Sequence, residues 1–216
     1  MSYNYTQGGP TAPMGGTPEP AIGQAGLMDV VNSWITSVTK PAVSTYAAEV
    51  PRAAQNRLIM SVGLATVVAA VAGLLGGVLR GNAVGGFLGS LITTPIFFLL
   101  TVGAFFLGAQ LMKGSANFLQ FAWVISTIWA PISILRSVLG IFSGVPLLNL
   151  IAGLIGLLAL IYSFYLYYLS IQAVQRLDGS NAIISILIGV VIWVVGAVVI
   201  GTIVGILGFG ASLLAG

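Results

Sequence analysis

Between Leu58 and Phe209 the chain carries five apolar runs that almost no charge interrupts. This feature limits the fold more than any other. The runs are Leu58–Leu79, Val84–Met112, Phe118–Phe142, Leu147–Gln172 and Ala182–Phe209, each as long as the ~20 residues that cross a ~30 Å hydrocarbon layer. A soluble domain draws about 25% of its residues from Asp, Glu, Lys and Arg; here the share is 5%, against 58% hydrophobic. So little polar surface cannot clothe a water-facing core. The expected fold class is all-α: an integral membrane bundle of five transmembrane helices with a short amphipathic interfacial N-terminal helix. Gly and Pro inside the runs do not count against spans, because neighbouring helices re-satisfy the freed backbone groups. Pro95 and Pro131 predict kinks, since proline removes a helical amide and clashes with the preceding turn.

Ahead of the spans, residues 1–26 read as a disordered Gly/Pro-rich cytoplasmic tail without the basic and apolar regions of a signal peptide. Residues 27–57 read as an amphipathic interfacial segment. Leu27, Met28, Val31, Trp34, Ile35 and Val38 share one face at helical spacing. Thirteen residues, 27–39, are too few to span. Such a helix lies in the headgroup plane with Trp34 at the boundary, or packs on the body of the protein. Pro41 and Pro51 punctuate the next short segment.

Cysteine and histidine are absent, which removes thiol chemistry, the usual metal ligand and the usual general base. Glu19, Asp29, Glu49 and Asp178 are the only acids, in the tail, the surface segment and a loop, and they form no constellation. No catalytic, metal-binding or cofactor-binding residue emerges, and no small-molecule substrate. No basic run suggests nucleic acid. The partners expected are membrane lipids and other membrane proteins, or a second copy of the chain. Lys40, Arg52, Arg57, Lys113 and Arg176 fall on one side of a five-span topology and Arg80 and Arg136 on the other, so the positive-inside bias predicts a cytoplasmic N-terminus and an outside C-terminus.

Three groups of residues stand out. Glycine pairs four apart let helix backbones approach closely; Gly73, Gly77, Gly85 and Gly89 predict a contact between the first two spans, and Gly201 and Gly205 form a further pair. The same face would also serve self-association. Arg136 is the one charge placed within a span, where it either snorkels outward past Phe142 or contacts a buried ion or substrate. Tyr162, Phe164, Tyr165, Tyr167 and Tyr168 cluster at the end of the fourth span. Part of that cluster belongs to an interfacial aromatic belt. Tyr162 lies deeper, where its hydroxyl needs a neighbouring helix or a backbone carbonyl. The alternative reading of the rings is a partner- or headgroup-binding surface.

The stretch YSFYLYYLSIQAVQRLDGSNAIISI, from Tyr162, resembles the fourth span, short loop and small-residue fifth-span start of the Yip family, five-span proteins known as interactors of Ypt/Rab GTPases. KPAVSTYAAEV, led by Pro41, resembles the segment ahead of the first span in prokaryotic members, and KGSANFLQFAWVISTIWAPISIL, with Pro131, resembles the family's small-polar loop and mid-span proline. The resemblance covers about residues 40–209. It implies a non-enzymatic protein that binds partners or organises membrane, an accessory subunit of a membrane complex being the main alternative and a small-solute transporter the third. The Asp-Leu-Tyr-Gly-Pro motif of eukaryotic Golgi members is absent before Leu58. The implied location is therefore a prokaryotic plasma membrane.

Overall fold

The computed structural model describes residues 26–214, with side-chain surroundings through Thr202. Of the expected tail, residues 1–26, all but Gly26 lie outside the described residues. The fold is all-α, with α1 at Leu27–Thr39, α2 at Val43–Glu49, α3 at Gln55–Leu79, α4 at Ala83–Leu111, α5 at Phe118–Ile141, α6 at Pro146–Gln175 and α7 at Gly179–Leu214. Five of these, α3 to α7, are long and apolar enough to cross a membrane.

Local chemistry sets the ends. Gly81 takes φ +72 in the α3–α4 turn, a conformation that costs glycine nothing. Asn82 caps α4 by accepting from the Gly85 amide at 3.0 Å, and Asn117 caps α5 by accepting from Gln120 at 2.9 Å. Arg176, at φ 55, ends α6 in the left-handed region, and Asp178 accepts from the Asn181 amide at 2.7 Å to start α7. The expected loop 173–181 therefore shrinks to residues 176–178. Both helices continue past the point where hydrophobicity fades, because backbone bonding does not depend on it. Helices α4 and α5 also continue through Pro95 and Pro131.

Helix α5 is the axis of the bundle. Phe121 to Ile128 are all buried, which requires neighbours on every side. The half of the bundle near the 113–117 and 176–178 loops is solid, filled by Phe105, Phe121, Trp123, Leu166 and Ile171. The other half exposes large side chains such as Val78, Leu88, Leu147, Leu154 and Val198. Exposed apolar surface on this scale is what lipid tails cover.

The α3–α4 contact is built on glycines, with one change of partner. A Cβ at Gly73 would collide with the Gly86 carbonyl and the Ser90 hydroxyl, and one at Gly86 with the Gly73 carbonyl. A Cβ at Gly77 would meet the Asn82 carbonyl and Ala83. Gly85 instead lies under the Asn82 capping side chain, and Gly89 faces open space. The expected Gly85 and Gly89 are thus replaced by Gly86 and Ser90, one residue and about 100° further round α4. Gly201 also faces open space, and the surroundings of Gly205 lie outside the described residues. The α4–α7 crossing rests on Gly108 and Gly189.

Candidate functional site

Two polar assemblies sit within the bundle. The first fastens α1 and α2. Ser33 donates to the Glu49 carboxylate (3.1 and 3.2 Å to its two oxygens), and Trp123 of α5 donates its indole N–H at 3.3 Å. Arg52 completes the set at 3.0 Å. Glu49 is 3% exposed. A buried carboxylate is tolerable only when its oxygens are occupied in this way. Four residues further along both helices, Ser37 meets Thr127 at 2.8 Å; Thr127 spends its own proton on the Val124 carbonyl, so Ser37 is the donor. Contacts that advance in step place α1 alongside α5, running in the same direction.

The expected apolar face of α1 is corrected here. Helix α1 packs on the body of the protein, one of its two expected settings, and Trp34 is 5% exposed and donates to Ser61 at 2.9 Å. The buried face of α1 is Val30, Ser33, Trp34 and Ser37, while Leu27, Met28 and Ile35 point outward. That face is turned by roughly one residue, about 100°, from the apolar stripe. The serines are drawn inward because their partners are inside. Pro41 has a matching role. It brings no amide to the Ser37 carbonyl, and Tyr46 donates to that carbonyl instead, at 2.8 Å. The Val38 carbonyl, in the last turn of α1, receives the Tyr162 hydroxyl at 2.6 Å. Tyr162 thus bonds a backbone carbonyl on another helix, the kind of partner its depth demanded.

The rest of the aromatic cluster divides. Tyr165 is 49% exposed, and with Phe164 and Tyr168 it flanks a shallow apolar groove completed by Ile183, Ile186 and Leu187. Tyr167 is buried against Phe105, ring centroids 5.2 Å apart. Tyr167 and Phe164 also reach the second assembly.

That assembly is a chamber of about 620 Å³ between α4, α5, α6 and α7. Each helix contributes one face at helical spacing. Helix α4 gives Thr93, Thr94, Phe97, Thr101 and Phe105, and α5 gives Trp129, Ser133, Arg136 and Ser137. Leu160, Ser163, Phe164 and Tyr167 come from α6, and Val190, Trp193 and Val194 from α7. The volume is that of an ordinary small-ligand pocket, and the lining has the usual form: apolar walls with a few polar groups.

Arg136 is the chamber's only charge. It stands five residues before Ile141, about 8 Å inside the end of α5. Helical side chains lean toward their own N-terminus, which for α5 is the solid half of the bundle. The Arg136 side chain lines the chamber and stays exposed there. Among the described residues the guanidinium has no ion pair or hydrogen bond. The described carboxylates are committed elsewhere. Asp29 caps α1 through the Gly26 amide, Glu49 holds the clamp and Asp178 caps α7.

Several chamber hydroxyls are already spent on their own helix. Thr93, Ser137 and Ser163 donate to the Gly89, Ser133 and Leu160 carbonyls. Thr101 donates to Phe97 and accepts from the Trp193 indole at 3.1 Å. Sequence reasoning found Arg136 but not the chamber. Its serines and threonines lie on three separate spans, and a polar residue inside an apolar run is as readily a self-bonded filler. Compared with known protein families, curated proteins and solved structures, the chain finds no match.

Proposed function

We propose that the chain is a non-enzymatic multi-pass membrane protein, of the Yip type its sequence resembles, that acts by organising membrane through ligand binding inside its bundle. The chamber is the observation that carries this. Four spans leave a half-open recess with room for a small ligand beside an unpaired guanidinium. The setting is a prokaryotic plasma membrane, with the N-terminus cytoplasmic and the C-terminus outside.

The test is extraction in a mild detergent, purification, and mass spectrometry that records lipids as well as proteins. The expected outcome is phospholipid retained through purification and depleted in Ser163→Leu, which puts a bulkier side chain into the chamber wall. Protein free of bound lipid would overturn the reading. A second reading, protein docking as an accessory subunit, draws support from the groove beside Tyr165 and Tyr168 and from the exposed half of α6. It predicts a fixed set of membrane proteins recovered in equal amounts. Transport of a small solute, the third reading, draws on Arg136 in the chamber and predicts that Arg136→Ala folds but loses uptake.

A further inference from the structure

Resting on that reading, we infer that the chamber takes the phosphate of an anionic membrane phospholipid, held by Arg136 with the acyl chains leaving between α6 and α7. The argument begins with unspent donors. A guanidinium offers five N–H groups and no acceptor, so only an acceptor-bearing partner satisfies it. The Trp129 indole, also donor-only, has no acceptor among the described residues, and the Thr94 and Ser133 hydroxyls show none either. All four residues line the same chamber. The one charge there is positive and has no counter-ion among the described residues. A neutral or cationic ligand would leave the guanidinium without a counter-charge, whereas an anion supplies one. Phosphate supplies charge and paired oxygens together, and guanidinium binds it as a fork.

The rest of the chamber argues for a lipid rather than a free anion. Phe97, Phe164, Leu160, Val190 and Val194 give the wall a broad apolar stretch. A soluble phosphate has no use for such surface, whereas the glycerol and first methylenes of a lipid do. A side exit is present too. Helices α6 and α7 touch each other far less than α4 touches α7, and the outer halves of both are open to lipid.

The experiment uses the full chain, delipidated in neutral detergent, and titrates phosphatidylglycerol and phosphatidylcholine by native mass spectrometry. Phosphatidylglycerol should bind at least ~10-fold more tightly, about 1.4 kcal/mol. Arg136→Gln should abolish that preference and Arg136→Lys, which keeps the cation, should retain part of it. Ser163→Leu should weaken both lipids. Equal binding of the two lipids, still lost in Ser163→Leu, would overturn the anionic assignment and leave the chamber as the binding site. Binding that Ser163→Leu leaves unchanged would overturn the chamber reading as well. Displacement of phosphatidylglycerol by millimolar inorganic phosphate would overturn the lipid source in favour of a soluble anion. The lipid comparison in the unsubstituted chain and the Ser163→Leu arm decide the matter even where Arg136→Gln does not fold.

Discussion

Glu49 shows how one residue can be read in the wrong environment. On the sequence it is a lone acid in a short, weakly apolar segment, and solvent is the natural place for it. Its actual partners, Ser33 and Trp123, lie 16 and 74 residues away. Nothing local announces that distance. Hydrogen bonds to a charged group are worth about 1.5–3 kcal/mol each. Glu49→Ala strands the Ser33 hydroxyl and the Trp123 indole N–H at a buried site. Thermal unfolding in detergent should therefore show a loss of about 3 kcal/mol. Arg52→Ala should cost much less, because Arg52 is 57% exposed and its share of the pair is screened. Tyr162→Phe removes the donor from the Val38 carbonyl and should cost about 1–2 kcal/mol by the same measurement. Tyr46 adds a pH signature. Burial, reinforced by Tyr162 and Tyr165, holds its phenol above the ordinary range. The unfolded chain gives up that proton near pH 10 while the folded chain keeps it. The stability Tyr46 contributes is thus whole below about pH 10 and falls as pH rises beyond it.

At the level of elements, most of the architecture was legible. Apolar run length located all five long helices, and the 3.6-residue stripe located α1 at residues 27–39, as found. The faces were harder to read. Counting glycines four apart selects Gly73, Gly77, Gly85 and Gly89, but the Gly85–Gly86 doublet offers α4 two adjacent faces. Only the crossing geometry chooses between them. Gly85 is drawn into the Asn82 cap, and Gly86 is left to meet Gly73. The α1 face failed for a related reason: periodicity reports where apolar side chains lie, whereas Ser33 and Ser37 are buried for their hydroxyls. The choice between Gly86 and Gly89 is directly testable. Gly86→Ala and Gly73→Ala each put a methyl into opposing backbone and should cost about 1–3 kcal/mol. Gly89→Ala meets nothing within 4 Å and should be neutral or slightly stabilising, since alanine loses less freedom on folding. Equal losses at Gly86 and Gly89 would mean that α4 uses a different face.

Over the whole molecule, the two ends of the bundle differ in charge as well as in packing. The solid end carries Arg57 at the start of α3, with Lys113 and Arg176 in loops joined where the Ser115 amide donates to the Gln175 carbonyl at 3.2 Å. Arg52 lies just before α3, on the same side. The other end has Arg80, which donates to Ser143 at 2.5 Å. Lys40 no longer counts with the first group. It stands at the turn between α1 and α2, and Ser37 beside it contacts Thr127, nine residues or about 13 Å into α5. Four cations against Arg80 and Arg136 still favours the solid end as cytoplasmic. A chain without cysteine makes this easy to check with single substitutions. Gly144→Cys, at an open position on the Arg80 end, should react with a membrane-impermeant maleimide in intact cells. Ser115→Cys should react only after permeabilisation. The opposite pattern would invert the protein, and it would also move the proposed lipid. Arg136 lies about 8 Å inside the Arg80 end. With that end outside, the proposed phosphate would belong to the outer leaflet; with the protein inverted, the same guanidinium would draw from the cytoplasmic leaflet.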